Sequence, residues 1–387
     1  AQGDGLLPLG YYLAPFVLIA LSVLIYRLKS YKREILYGVL FFLVNIVLVV
    51  RIVPIGEELV CDRYAYLPYI GFFLILGWMY CGVADRFPGS SAWRKHLFIA
   101  VIAVQIAAFS LISHARTTVW KDSLTLYNDV LEKYPSVDVA YYNRGNFKSR
   151  HGDYTSAIQD FTRAIELNPQ YALAYNNRGF AKFAQGKDYA GAMADYDTAL
   201  TLNSRNALVY NNRGTLKFKG EKDYAGALQD FDTAVALDPQ YPLSFLNRAL
   251  LKAEQGDYDA ALADCNRTLQ IDPLSFKAFF LRGTINTAKK DYEAGVDDFN
   301  RAIALNPGYA EAYQYRGNVR LIQQRYAQSI ADYSEAVRLN PKNVGAHFSR
   351  GWSRWHSADR DGACADWQRS LELGAKEAAA VLREHCG

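Results

Sequence analysis

The chain is poor in the residues that usually build active sites. Its five cysteines show no Cys-x-x-Cys and no mixed Cys/His ligand spacing, which argues against a zinc site. The six histidines (His96, His114, His151, His347, His356 and His385) are scattered without paired ligands, and no Ser-His-Asp or phosphate-loop pattern occurs. Catalytic residues are therefore assigned nowhere in the chain, and no cofactor or metal is expected. Neither sign of charge is in excess: 43 Lys and Arg against 39 Asp and Glu leave +4, too little to imply nucleic-acid binding. Ala1 runs into an apolar segment with no basic stretch before it, so the start does not read as a secretory leader. A fragment of a longer protein is expected.

What is present divides near residue 115 into an apolar half and a mixed half. Apolar runs cover 9–26, 35–55, 65–84 and 97–114, each extendable to the ~20 residues that carry a helix across ~30 Å of hydrocarbon. Residues 1–114 are accordingly expected to hold four membrane-spanning helices. The loops set an orientation. Arg27, Lys29, Lys32, Arg33, Arg86, Arg94 and Lys95 fall on one side, against Arg51 and Arg63 on the other, which places the first set in the cytoplasm. An integral protein of a bacterial inner membrane, with its second half on the extracytoplasmic side, is the expectation. The outer loop at 51–64 and the residues after it carry Glu58, Asp62, Arg63 and Tyr66. Charged groups among tyrosines at headgroup depth suit a phosphate or sugar of a lipid, with an ordinary interfacial loop as the alternative.

The second half repeats itself. Arg144, Arg178, Arg213, Arg248, Arg282, Arg316 and Arg350 follow one another at steps of 34 or 35 residues, mostly before a glycine. Counting that glycine as position 8 of a 34-residue unit, small residues recur at positions 8, 20 and 27, and aromatics such as Phe161, Tyr196 and Phe231 stand at position 24. Units close at Pro169, Pro239, Pro273, Pro307 and Pro341, where proline stops a helix. This period and pattern identify seven tetratricopeptide units over 138–374, an all-α superhelical solenoid of paired A and B helices. The two 35-residue steps place their extra residue in the A–B turn before Tyr189 and Tyr224. Residues 115–137 supply a degenerate half-repeat whose A helix would be 104–117, the end of the fourth apolar run. Residues 375–387 supply a capping helix. Cys364 and Cys386 flank the last turn at nearly equal distance, which would bring them to the same height on antiparallel helices.

Two ladders run through the units. Each position-7 Arg has an Asp at position 23: Asp160, Asp195, Asp230, Asp264, Asp298, Asp332 and Asp366. Position 7 faces the helix pair, so a structural bidentate pairing is expected in preference to a charged groove. Position 6 holds Asn143, Asn177, Asn212 and Asn247 in four consecutive units, on the face that lines the concave groove. A carboxamide donates and accepts, so such a row can pair with the backbone of an extended peptide, while plain solvation of a polar face is the alternative. Further on, Phe280 and Trp352 make the groove more apolar and are expected to hold a partner's side chain. The sequon at Asn266 lies within a packed helix and is expected to be silent.

The string Asp62-Arg63-Tyr64-Ala65-Tyr66-Leu67-Pro68-Tyr69-Ile70-Gly71, followed by two apolar runs and the repeats, resembles the transmembrane and tetratricopeptide-repeat proteins. In eukaryotes these are protein O-mannosyltransferases of the GT-C superfamily. The asparagine row is similar to the one with which the superhelix of O-GlcNAc transferase holds its protein substrates. The first resemblance implies the acceptor-presenting, carboxy-terminal portion of a protein glycosyltransferase, with a lipid-linked sugar as a second partner. The chain departs from that family in lacking its further membrane spans and the outer loop that carries its catalytic carboxylates. A non-catalytic membrane-tethered scaffold for protein–protein interactions is the alternative.

Overall fold

The computed structural model describes residues 121–387, together with Ala100 and Val104. The chain divides into two units between Arg116 and Thr117, and the architecture below belongs to the second. It is all-α. The A helices are Asp138–Arg150, Ala172–Gln185, Ala207–Leu216, Pro242–Glu254, Phe276–Ala288, Ala310–Ile322 and Val344–His356. The B helices are Tyr154–Leu167, Tyr189–Leu202, Tyr224–Leu237, Tyr258–Ile271, Tyr292–Leu305, Tyr326–Leu339 and Arg360–Glu372. Helix Ser123–Lys133 precedes them as a B-type helix, and Ala378–His385 follows as a cap.

One expectation is corrected here. Among the described residues no helix is long and apolar enough to cross a membrane. The longest have 14 residues, about 21 Å at 1.5 Å per residue, and their buried residues lie against the neighbouring helices. Within the described residues the fold is therefore an all-α tetratricopeptide solenoid, and the four membrane-spanning helices assigned to the fold class are not among its helices. The apolar runs themselves, and the A helix expected at 104–117, lie outside the described residues apart from Ala100 and Val104.

Each unit is assembled from the same local devices. The B helix opens on an Asp whose carboxylate accepts the N–H three residues on, as Asp153 does from Ser156 and Asp257 from Ala260; Arg325 stands at this place in the sixth unit and makes no such cap. A cap of this kind contributes about 1 kcal/mol to a helix start. In every unit but the second the residue before it adopts left-handed backbone: Gly152 and Gly256 at no steric cost, and Lys222, Lys290, Gln324 and Ala358 as well. Within the pair, position 8 meets position 24. A Cβ placed on Gly145, Gly179, Gly214, Gly283 or Gly317 would stand 2.8–3.0 Å from the ring of Phe161, Tyr196, Phe231, Phe299 or Tyr333. The fourth unit exchanges the sizes: Ala249 stands at position 8 and packs with Cys265 at position 24. Burial pushes that thiol up to about 12, so Cys265 serves as volume and not as a nucleophile.

The carboxy-terminal cap is covalently fixed. Cys364 of the last B helix is disulfide-bonded to Cys386, with Cα atoms 5.9 Å apart. The bond holds the cap helix so that the His385 ring sits 5.6 Å from Trp352, 4.7 Å from Trp355 and 5.8 Å from Trp367.

Candidate peptide-binding groove and the ladders behind it

Every position-7 arginine grips the position-23 aspartate of its own unit with two nitrogens. In the third unit Arg213 Nε and Nη2 donate to Asp230 at 2.9 and 2.6 Å, and the geometry recurs from Arg144–Asp160 to Arg350–Asp366. Its remaining Nη1 reaches back to position 25 of the preceding unit. Arg178 meets Thr162, Arg213 meets Asp197, Arg248 meets Asp232 and Arg282 meets Asn266. The guanidinium also lies over an aromatic ring one turn earlier, Tyr210 for Arg213 at 5.4 Å. One side chain thus ties A to B and unit to unit. The hydrogen bond to Asp230 raises the Arg213 pKa above its ordinary value, outweighing the opposing desolvation.

Sequence reading missed a second cation. Position 11 supplies Lys148, Lys182, Lys217, Lys252, Arg320 and Arg354, each within 2.7–2.9 Å of the same aspartate. In the fifth unit Asn286 takes that place and donates to Asp298 at 3.1 Å. The signal was available: a cation four residues after every Arg of the row but Arg282 lies on the same helix face. Two cations per nearly buried carboxylate explain how the row tolerates burial.

The asparagine row faces the other way, and three of its four members are tied to the preceding unit. Asn177 Nδ2 donates to Asn146 at 2.7 Å and to the Tyr142 hydroxyl at 3.2 Å. Asn212 donates to Asn176 at 3.0 Å, and Asn247 to Asn211 at 2.9 Å. Asn143, at the amino-terminal end, has no side-chain partner of this kind among the described residues. The position-5 asparagines Asn176 and Asn211 are buried and act as the inner half of the network; the Asn-Asn doublets at 176–177 and 211–212 were the sequence signal for them. Asn177, Asn212 and Asn247 are therefore held in place by their neighbours: Asn177 and Asn247 have both N–H groups engaged and keep only oxygen lone pairs free, and Asn212 keeps one N–H as well.

The apolar end is filled by the chain's own side chains. Phe280 packs on Phe299, Tyr309 and Tyr315 at 5.0–5.8 Å. Trp352 lies against Trp367 and under His385. Arg63, Glu58, Asp62 and Tyr66 lie outside the described residues. The sequon Asn266 uses its carboxamide oxygen to accept from Arg282 at 2.7 Å. Among the described residues there is no cluster of His, Cys, Asp and Glu able to hold a metal ion.

Paired helices, a 34-residue period and a concave row of amides define a tetratricopeptide-repeat protein. Family models agree: a TPR repeat matches residues 150–186 and 317–353, and a tetratricopeptide repeat matches 180–242, 211–276 and 246–310. Among curated proteins, the chain is 34% identical over 65 residues to small glutamine-rich tetratricopeptide repeat-containing protein 2 of Saccharomyces cerevisiae, covering 17% of this chain and 19% of that protein. It is 30% identical over 118 residues to protein O-mannosyl-transferase Tmtc2 of Drosophila melanogaster, covering 30% of this chain and 12% of that one. With protein O-mannosyl-transferase TMTC1 of Homo sapiens it shares 22% over 169 residues, 42% of this chain and 19% of the relative. The chain thus spans less than a fifth of the length of these relatives. Among solved structures, the APC/C hetero-tetramer Cut9–Hcn1 matches 68% of this chain and 52% of that one at 15% identity and TM-score 0.57, a likeness of fold alone.

Proposed function

We propose that the concave face binds an extended stretch of another protein along the row Asn177, Asn212 and Asn247, with Asn143 at its amino-terminal end. The observation that carries this reading is the linked carboxamide row itself. It presents carboxamide oxygens at repeat spacing, and the Asn212 amide, with one N–H engaged, can also donate; this matches a backbone and not one particular side chain. Because Asn177, Asn212 and Asn247 also bond unit to unit, replacing all four by Ala lowers thermal stability as well as affinity. The test separates the two effects. Each single Asn→Ala variant of the full chain is titrated with a labelled extended peptide library below its melting temperature. Each should lose about 0.5–1.5 kcal/mol of binding per hydrogen bond removed. Undiminished binding by the folded quadruple variant would sink the reading.

The Cys364–Cys386 bond supports a working place for the solenoid in an oxidising compartment, outside the cytoplasm. Mass analysis of unreduced protein, taken from its own compartment with thiols blocked, should find Cys386 unalkylated; an alkylated Cys386 refutes the placement. The names of two relatives support a finer reading, in which the bound segment is an acceptor for sugar transfer by the parent protein. A photo-crosslinker at Asn212 should then capture proteins enriched in O-linked hexose on Ser and Thr. Captured partners no more glycosylated than bulk protein exclude it.

A further inference from the structure

Beside the amide row runs a second row. Position 2 of the second, third and fourth units carries Leu173, Leu208 and Leu243, which are 41, 37 and 41% exposed. Each lies four residues before its asparagine, on the same helix face and one turn away. In the fifth unit the same position holds the exposed Lys277, which has no carboxylate partner among the described residues, and in the sixth the exposed Glu311. The leucines therefore occur only where the amides do, and the row turns charged where the amides stop.

Successive A helices touch one another, and helices in contact lie about 8–10 Å apart. A polyproline-II segment advances about 9 Å per turn of three residues and leaves its backbone N–H and C=O groups unpaired. Its side chains would thus fall on one leucine per turn, while its free backbone groups meet one carboxamide per unit. A strand does not fit the row, because its side chains on one face recur at every second residue, only about 6.6–6.8 Å apart. A helical partner does not use the amides, because its own backbone is already bonded.

We infer that the occupant of the groove is a polyproline-II-like segment with an apolar residue at every third position. Three residues beyond the last apolar residue it carries an acid that meets Lys277. This rests on the groove reading proposed above and adds the sequence pattern of the partner.

The test uses the full chain and dye-labelled synthetic peptides of equal length and composition. One has Leu at every third position with Asp three residues beyond, made in both chain directions. Its controls place Leu at every second position, or at helical spacing. The period-three peptide should bind in one direction. Leu208→Ser, titrated well below its melting temperature, should weaken it about tenfold, from losing roughly 55 Å² of apolar contact. Lys277→Glu should invert the preference from Asp to Lys at the charged position. Equal or tighter binding of either control overturns the inference, as does indifference to Leu208→Ser or to the charge swap. If the period preference is absent but binding still depends on Asn212, the inference fails and the groove reading stands. If Asn212 is without effect on every peptide, the groove reading itself fails.

Discussion

Replacing Arg213 by Ala removes more than an ion pair. The side chain makes two short bonds to Asp230, which is 2% exposed, a third to Asp197 of the preceding unit, and a stacked contact with Tyr210. Stranding a buried carboxylate by deleting its only partner costs roughly 3–5 kcal/mol. Asp230 keeps Lys217 at 2.8 Å, which lowers that component to about 2 kcal/mol. Asp197 is mostly exposed, so its bond adds only ~0.2–1 kcal/mol, and the ring contact about 0.5–1. The single variant should therefore lose about 3–4 kcal/mol in total. Lys217→Met alone should lose about 1 kcal/mol, since Arg213 still covers the carboxylate from the other side. The double variant strands Asp230 and should lose more than the sum, with a coupling of about 1 kcal/mol or more. Urea unfolding of the full chain followed by circular dichroism reads all four corners of this cycle. Because Arg213 also joins the second unit to the third, its loss should broaden the transition as well as shift it. Additive losses would refute the shared-carboxylate account. A variant that melts like the unmodified chain but no longer binds peptide would put the arginine row on the wrong face.

Three further outcomes follow from packing and backbone geometry, each read as a thermal midpoint. Cys265→Phe should destabilise by about 1–3 kcal/mol because its ring meets the Ala249 methyl, and Ala249→Gly by about 1 kcal/mol. The double variant rebuilds the glycine–aromatic pair of the other units, so it should recover most of the loss; simple additivity would contradict the size exchange. Ala358→Gly, at φ 65°, should stabilise by about 0.5–1 kcal/mol by relieving left-handed backbone, and a lowered midpoint would show that the strain is absorbed elsewhere. Tyr196 buries a hydroxyl with no partner among the described residues, whereas the Tyr333 hydroxyl bonds Asn318 at 2.8 Å. Tyr196→Phe should be neutral or stabilising and Tyr333→Phe should cost about 1 kcal/mol, and equal effects would overturn the distinction.

The parts of this molecule legible in its sequence are those set within one unit. Arg213 and Asp230 lie 17 residues apart on helices that a short turn forces to be antiparallel, so their meeting follows from spacing alone. Lys217 obeys the same geometry but looks like any solvated lysine until Asp230 is seen to be buried. The two extra residues, both expected in A–B turns, are absorbed in different ways, and only the first lies in the turn. In the second unit Gly186 ends the A helix in left-handed backbone at φ 73° and Lys187 fills the loop. The third unit has its glycine too early, at Gly220. The helix widens into a π-turn over Lys217–Glu221 instead, and Lys222 takes the left-handed place at φ 60°. Contacts between units and beyond the repeats were less legible. Trp352 occupies a position that lines the groove in other units, and nothing local marks it as covered. What covers it is His385, 33 residues on, carried by a helix that the repeat pattern does not describe and that Cys386 fixes in place. Periodicity predicts what each unit does to its successor, so it fails where there is no successor. The last unit is where a side chain read as a binding residue turns out to be the surface on which the solenoid closes.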